Sequence, residues 1–344
     1  MAGRALNSST IKHVAEHAGF SIATVSRAMN APHMVSPATL AKIHAAIEAL
    51  SFQPNYLAQQ LRAGRTQLLG VLLPTLANPV FAECVQGIEE AAAQAGYRLL
   101  LMTSRYDPES EAHAAQTLTN QRVDGLILTV ADAAQSPLLD RLEADGIPYV
   151  LTYNQSVKRP SVSVDNRAAA ADAVRLLTAK GHRRILMLTG TLSASDRARQ
   201  RYLGYCDALR QAGLKPLPAH EIDFNAQGLP ARTLAELCRG PQRPSAIFCG
   251  NDLLAMVAMR SLREAAMVVP AQMSIVGFDG LPVGELLAPS LATVCQPNHE
   301  IGARAWRELA SRMGGAPASR AKQRPGVILP HRIRPGDSIG APSS

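Results

Sequence analysis

The first 62 residues of the chain carry short runs of apolar residues at helical spacing. In the first run, the residues that share one helix face are Ile11, Val14, Ala15 and Ala18. Thr10 can cap that helix, and Gly19 can take the positive φ of a tight turn. Ser21 can cap a second helix in which Val25 and Met29 face inward. The pattern therefore predicts two short helices joined by a turn.

Two more helices are predicted before residue 65. Ser36 and Pro37 open the third, because proline suits the first helical position. The apolar seam with which this helix can close a three-helix core consists of Leu40, Ile43, Ile47 and Leu50. Asn55 can cap a fourth helix with Leu57 and Leu61 on one side. Helices under about 12 residues are marginal in water, so this one is expected to need a partner.

From about Thr66 the pattern changes to short apolar runs that alternate with helical segments. Four runs, 68–74, 97–103, 123–129 and 149–153, are followed by a second set at 185–189, 246–249, 275–278 and 292–296. A last strand is predicted at 327–333, and the Gly/Ser/Pro-rich tail 335–344 is expected to be mobile. Apolar strands that alternate with helices predict parallel sheets covered on both faces. The expected architecture is two similar doubly wound α/β lobes with a cleft between them.

The expected domains follow from this change of pattern. Residues 1–54 form an all-α head, 55–65 a hinge helix and linker, and 66–344 the α/β core. Within the core, lobe one is expected over about 66–164 and 296–326. Lobe two is expected over about 165–295 and 327–344.

Composition and charge narrow the function. A hydrophobic content of 47% supports a large core, and the formal net charge is +8. The first 65 residues hold six Lys/Arg against two acidic residues, which suits a polyanionic partner without establishing one. The five cysteines are scattered, as expected of reduced core thiols in a cytosolic protein. The sequence has no long apolar run of the kind that predicts a signal peptide or a membrane span. A cytoplasmic, nucleoid-associated location is therefore expected.

Two short helices with a turn of this length are typical of a helix-turn-helix, whose second helix enters the major groove of DNA. Arg27 is the candidate for base reading, because a guanidinium can bond both major-groove acceptors of guanine. Ile22 and Ala23 open the same helix and are expected to touch base edges. The residues expected to hold phosphates are Ser21, Thr24, Ser26 and Asn30, and Thr10 is added to the contact surface. The alternative is a small helical subdomain with a solvated second helix.

Three segments together resemble the lactose/galactose repressor (LacI/GalR) family of bacterial regulators. They are Ala23-Thr-Val-Ser-Arg27, Val35-Ser-Pro37 and Pro54-Asn55 with Ala58 and Leu61, and the likeness continues through almost all of the chain. The resemblance implies an all-α helix-turn-helix head, a periplasmic-binding-protein-like core and a homodimer that represses at a pseudo-palindromic DNA operator. It also implies DNA contacts at Asn55, Leu57, Ala58 and Leu61. The hinge helix would then fold over DNA against a second copy, and Leu61 would wedge into the minor groove.

Ligands of open parallel sheets bind beyond the carboxyl ends of the strands. The resemblance implies that a small-molecule effector binds there, at Asn78, Phe81, Thr129, Thr152, Arg201, Asn251, Asp279 and Asn298. An arginine fork with amide and carboxylate partners can grip a small polar metabolite, with a sugar or sugar acid favoured. Asn78 and Asp165 could equally be caps, and Arg197 and Arg199 could be the wet face of a helix. Thr152 stands where relatives often carry an acid or an arginine.

Three other functions compete with an effector-controlled regulator. An enzyme acting on a sugar or nucleotide is disfavoured, because the sequence shows no Ser/His/Asp set, Gly-rich phosphate loop or metal-ligand cluster, and no cofactor is expected. A solute-binding protein for transport is disfavoured by the basic head. A nonspecific architectural protein would bind DNA without responding to a metabolite. No leucine heptad follows the last strand, which favours a dimer over a tetramer, and the sign of the effector response stays open.

Overall fold

The computed structural model describes residues 9–52, 65–223, 234, 236–238, 240, 243–314 and 326–342. The chain divides into two compact units, Met1–Thr66 and Gln67–Ser344, which we call the head and the core. The predicted all-α head and two-lobed α/β core are both confirmed. Among the described residues, no helix combines the length and apolarity needed to cross a membrane.

The head contains three described α-helices, whose starts are encoded by local caps. They are α1 (Ile11–Ala18), α2 (Ile22–Asn30) and α3 (Pro37–Ala49). Thr10, Ser21 and Ser36 each accept a backbone N–H three residues on, which satisfies one of the free donors at each helix start. Gly19 ends α1 with φ of 74°, the left-handed conformation predicted for the turn.

The helices of the head pack around a small apolar centre. Val14, Val25 and Ile43 are fully buried there, and Met29 packs against them. Phe52, which follows α3, is also buried and completes the cluster. The side chains predicted to face inward therefore do so, and the outward face of α2 is left for other contacts.

Within the described residues, the core consists of two six-stranded sheets with helices on both faces. The strands are β1 (Leu68–Leu73), β2 (Arg98–Thr103), β3 (Gly125–Leu128), β4 (Tyr149–Thr152), β5 (Ser161–Val164), β6 (Ile185–Gly190), β7 (His220–Ile222), β8 (Ala246–Cys249), β9 (Ser274–Asp279), β10 (Ala292–Cys295), β11 (Val327–Leu329) and β12 (Arg332–Arg334). The helices are α4 (Pro79–Ala93), α5 (Pro108–Asn120), α6 (Pro137–Ala144), α7 (Asn166–Ala179), α8 (Asp196–Gln211), α9 (Asp252–Glu264) and α10 (Asn298–Met313).

Each sheet belongs to one lobe. The first has the order β11-β5-β4-β3-β1-β2 and is parallel throughout. The second has the order β12-β10-β9-β8-β6-β7 and is parallel except for β12, which pairs antiparallel with β10. The eight strands predicted before the last one are all present. β5 was not predicted because its four residues alternate serine with valine, and β7 was not predicted because it has three residues, two of them polar.

The last crossing of the chain from the first lobe to the second comes later in the sequence than predicted. The expected single strand over 327–333 is two strands in different sheets, because Pro330 has no N–H to continue a ladder. Val327–Leu329 pairs with β5 in the first lobe, so the lobe boundary expected at 326/327 is wrong. The second lobe resumes with Arg332–Arg334.

The expected mobility of the tail is also wrong for residues 335–342. Ser338 is fully buried, and its Oγ donates to the carbonyl of Ile275 at 2.7 Å and accepts from the N–H of Ala292 at 2.9 Å. The carbonyl of Gly340 lies 3.0 Å from Nε2 of His182. Composition predicted mobility, but these long-range hydrogen bonds fix the segment to the second lobe.

Candidate DNA-reading surface and effector cavity

The outward face of α2 presents the residues expected to read bases. Ile22 is 47% exposed although it is a large apolar residue, and Ala23 and Arg27 are exposed beside it. Ser26 and Thr24 are half-buried. A helix at this position in a helix-turn-helix can enter a major groove, where an arginine and small apolar side chains meet base edges.

Two of the expected phosphate contacts also shape the helix start. The Oγ of Ser21 accepts from the N–H of Thr24 at 3.1 Å and lies 2.9 Å from its Oγ1. Thr10 is exposed at the start of α1 and forms a capping box with His13. Asn30 is the last residue of α2, and its side chain is not among those that the structure describes. Asn55, Leu57, Ala58 and Leu61 lie outside the described residues, so the hinge contacts stay predictions.

A cavity of about 40 Å³ lies between the two lobes of the core. Five of the eight expected effector residues line it, namely Asn78, Phe81, Arg201, Asn251 and Asp279. They come from both lobes and from four different loops or helix starts, as expected for the carboxyl edges of two parallel sheets. The cavity is small because side chains of the two lobes meet across it.

Asp279 is the centre of those contacts. It ends β9 with φ of 116° and is 2% exposed. Nδ2 of Asn78 donates to its Oδ2 at 3.1 Å, and Nε2 of Gln296 donates to its Oδ1 at 2.9 Å. Burial raises the pKa of this carboxyl, whereas the nearby guanidinium of Arg201 lowers it. The hydrogen bonds from Asn78 and Gln296 also lower the pKa, so they offset part of the effect of burial.

Arg201 is held from several sides. Its Nε donates to Oδ1 of Asn166 at 2.8 Å, its Nη1 bonds the carbonyl of Gly250, and Nη1 lies 3.5 Å from Oδ1 of Asp279. The guanidinium carbon lies 3.7 Å from the centre of the Phe278 ring, a cation–π contact. These contacts fix the fork before a ligand arrives.

Helix α8, which carries Arg201, packs closely on α7. At Gly204 a Cβ would lie 2.1 Å from the carbonyl oxygen of Arg167, so only glycine allows this approach. Asp165 caps α7 through the N–H groups of Arg167 and Ala168, which is the capping role considered for it. Asn78 likewise caps α4 through Val80, and it also faces the cavity.

The described wall of the cavity does not include Thr129, Thr152 or Asn298. Thr129 and Thr152 are buried, and their hydroxyls lie 2.8 Å apart, bonded to each other. Oδ1 of Asn298 accepts from the hydroxyl of Tyr153 at 3.2 Å, and the Tyr153 ring packs edge-on against Phe81. Asn298 thus supports the wall from behind, and the roles of these three residues in effector binding stay predictions.

Sequence reasoning missed several residues of the wall, among them Tyr106, Tyr153, Arg197 and Gln296. Arg197 was considered for the wet face of a helix, but it is only 6% exposed and its Nη1 donates to the carbonyl of Val130 at 2.7 Å. Its place one turn before Arg201 on α8 was the signal that could have found it. Burial raises the pKa of Tyr106 to about 12, so its hydroxyl keeps its proton.

The start of α8 also fastens the second lobe to the first. The N–H of Asp196 donates to the carbonyl of Ala131 at 2.7 Å, and its Oδ2 accepts from the N–H of Ala133 at 3.1 Å. Arg199, the other arginine of uncertain orientation, is partly buried and pairs with Asp132 of the first lobe. A groove of about 600 Å³ runs along this junction and shares Arg197 with the cavity.

Two further buried acids flank the site. Burial raises the pKa of Glu111 to about 7, although its Oε1 accepts from the N–H of Ala131 at 2.7 Å. Burial also raises the pKa of Asp252 to about 7, with the neighbouring Asp279 adding to the effect. Oδ2 of Asp252 accepts from the N–H of Leu281 at 2.7 Å, which ties α9 to the loop that follows Asp279.

Comparison with known proteins shows the same two units. Residues 10–55 match the family described as bacterial regulatory proteins, lacI family. Residues 66–327 match the family of periplasmic binding proteins and the sugar binding domain of the LacI family. The chain belongs to the LacI family of bacterial regulatory proteins.

Individual members of the LacI family are similar over nearly the whole chain. The ribose operon repressor of Escherichia coli (strain K12) is 33% identical over 85% of this chain and 89% of that protein. Catabolite control protein A of Priestia megaterium is 31% identical over 94% of this chain and 97% of that protein. The crystal structure of the Lac repressor dimer bound to operator and an anti-inducer superposes with a TM-score of 0.84 at 28% identity, covering 97% of this chain and 100% of that one.

Membership of the LacI family makes the chain a DNA-binding transcriptional regulator with an effector-binding core. The family relatives are regulators rather than enzymes. The helix-turn-helix therefore supplies the DNA-reading surface, and the interlobe cavity lies in the effector-binding domain.

Proposed function

We propose that the chain is a repressor that binds a pseudo-palindromic operator as a homodimer in the cytoplasm. The observation that carries the proposal is the exposed face of α2, where Ile22, Ala23 and Arg27 stand together beside the Ser21 cap. Two such faces, one from each copy, are what a two-fold site requires. Exposed apolar side chains of the second lobe support pairing, since Leu286 is 84% and Val283 is 43% exposed.

The proposed effector is a small polar metabolite, a sugar or sugar acid, bound between the lobes. Support comes from the wall itself, where Asn78, Arg201, Asn251 and Asp279 supply hydrogen-bond donors and acceptors and Phe81 supplies an apolar face. These residues belong to both lobes, so a ligand among them changes the balance between closed and open lobes. It controls operator affinity only by its differential affinity for those states.

Selection of genomic fragments by the purified full-length chain tests the proposal. The retained fragments are expected to share an inverted repeat, and footprinting is expected to protect two half-sites. Binding should weaken steeply with salt, as phosphate contacts require. A chain that retards all fragments equally, or none, both with and without candidate sugars and sugar acids, would contradict the proposal.

A further inference from the structure

Two polar atoms on the cavity wall have no hydrogen-bond partner among the described residues. They are Nη2 of Arg197 and Oε1 of Gln296, and both atoms are buried. The residues are 6% and 7% exposed, so bulk water does not replace the missing partners. Buried polar atoms are nearly always satisfied, and an unmet donor or acceptor is costly. The cavity is therefore arranged for a group that accepts from Arg197 and donates to Gln296.

The rest of each side chain is already fixed. Nη1 of Arg197 donates to the carbonyl of Val130, and Nε2 of Gln296 donates to Asp279. These bonds hold the two unmet atoms in place without using them. A donor and an acceptor that are oriented in advance lose little freedom when a ligand arrives, which favours binding.

The charges on the wall indicate which kind of acceptor fits Arg197. Among the described residues, the wall carries the guanidinium groups of Arg197 and Arg201 but one carboxyl group, Asp279, which is already shared among Asn78, Gln296 and Arg201. Asp196 lies 3.4 Å from Nη1 of Arg197, not Nη2, and accepts hydrogen bonds from the first lobe. Burial raises the pKa of Glu111, whose charge interacts with that of Arg197, to about 7, so its charge is partly lost at neutral pH.

We propose that the effector is a hydroxylated carboxylate whose carboxylate accepts from Nη2 of Arg197 and whose hydroxyl donates to Oε1 of Gln296. This inference rests on the proposed function and names the effector class. A carboxylate adds the attraction between opposite charges to a hydrogen bond that a hydroxyl could also accept from the guanidinium, so the acid is favoured over the matching neutral polyol. The cavity of about 40 Å³ has room for a carboxylate and a neighbouring hydroxyl. Arg197 also lines the groove of about 600 Å³, which can take the remainder of a longer acid.

Paired ligands that differ in the acid group test the inference. The melting temperature of the full chain is measured with glycolate or ethylene glycol, glycerate or glycerol, and gluconate or glucose, at one pH and matched ionic strength. At least one acid is expected to raise the melting temperature by about 3 °C or more, and its neutral partner is not. Neutral partners that act as strongly as the acids, or no shift with any acid, would overturn the inference.

Substitution of the arginine locates the effect. Arg197→Gln is expected to reduce the affinity for the stabilising acid by roughly tenfold or more. Arg210→Gln, on the same helix with an exposed side chain, is the matched control and should leave acid binding unchanged. If Arg197→Gln does not fold, Arg197→Lys can be used, because it keeps the positive charge without the paired donors of the guanidinium. Arg197→Lys is expected to reduce the affinity for the acid by a smaller factor. Unchanged acid binding in a folded Arg197 variant counts against the inference.

Operator binding, measured both with and without the candidate acids, separates this inference from the proposed function. The wild-type chain should retard the operator in at least one of the two conditions, and Arg197→Gln should respond less to the acid. Loss of site-selective retardation by the wild-type chain in both conditions would contradict the proposed function itself. Intact retardation together with a preference for neutral ligands would contradict only the effector class.

Discussion

The Nδ2 of Asn154 in the first lobe lies 2.9 and 2.8 Å from the two carboxylate oxygens of Asp196 in the second. Asn154 is itself fixed, because its amide exchanges hydrogen bonds of 2.9 Å with the N–H and carbonyl of Val130. The pair therefore joins a rigid point of one lobe to the first turn of α8. That helix also carries Arg197 and Arg201, so lobe closure and the cavity wall are coupled through it.

Asp196→Ala is expected to loosen the closed arrangement of the lobes. The change removes the acceptor for Asn154 and Ala133 and leaves two buried donors unmet, at a cost of about 1–3 kcal/mol. Small-angle scattering of the ligand-free protein should give a larger radius of gyration than the wild type. Glu264→Ala, at the exposed end of α9, is the control and should scatter like the wild type. An unchanged radius for Asp196→Ala would mean that other contacts hold the lobes.

Arg27→Ala is expected to reduce operator affinity far more than affinity for random duplex. A bidentate contact with guanine discriminates by roughly 1–3 kcal/mol, which is about 5- to 150-fold. Fluorescence anisotropy with both duplexes at one salt concentration measures the ratio. Lys12→Ala also removes one positive charge, from the exposed surface of α1, and should weaken binding to both duplexes alike. Equal losses for Arg27→Ala on the two duplexes would contradict base reading.

The local features of the fold could be predicted from the sequence because they are encoded within a few residues. The caps at Thr10, Ser21 and Ser36 need only a short polar side chain before an apolar period. The strands that were predicted are runs of mainly apolar residues, and each leads into a polar loop. Asp279 and Asn251 could be placed in the site because they lie at or just after the carboxyl ends of such strands.

The remaining features depend on contacts between distant segments. Arg197 is buried only because the loop near Val130, more than 60 residues earlier, covers the start of α8. Gln296 reaches the cavity because it lies where the chain passes from β10 to α10. Ser338 is fixed by strands far away in sequence, although the composition of its segment is typical of a mobile tail. The residues next to Arg197, Gln296 and Ser338 in the sequence do not indicate which distant segments these side chains contact.

Ser338→Ala is expected to destabilise the core although Ser338 is only six residues from the end of the printed sequence. Loss of its Oγ leaves the N–H of Ala292 and the carbonyl of Ile275 without this buried partner, which costs about 1–3 kcal/mol. Chemical denaturation measures the change in the free energy of unfolding of the core. Ser311→Ala, on an exposed turn of α10, makes the same change and should have an effect within about 0.5 kcal/mol. Equal effects of the two substitutions would show that the tail does not anchor the second lobe.

Glu111 is expected to make the core more stable as the pH falls from about 8 towards 5. Its ordinary pKa of 4.5 applies to the unfolded chain, and burial raises the pKa to about 7 in the folded core. Between these values the folded state binds more protons, so the free energy of unfolding rises as pH falls through 7 and is lowest above it. The contribution is roughly 1–3 kcal/mol.

Glu111→Gln isolates this contribution. The glutamine Oε1 can still accept from the N–H of Ala131, but the side chain no longer has a carboxyl group that titrates. Unfolding by urea at pH 5.5, 6.5, 7.5 and 8.5 should give the variant a shallower pH dependence than the wild type, with the largest gain in stability at the highest pH. Glu109→Gln, exposed on the same helix, should follow the wild-type curve. Asp252 and Asp279 are unchanged in the variant, so the difference between the two curves reports the substitution of Glu111. Parallel curves would mean that Glu111 is ionised in the folded core at neutral pH.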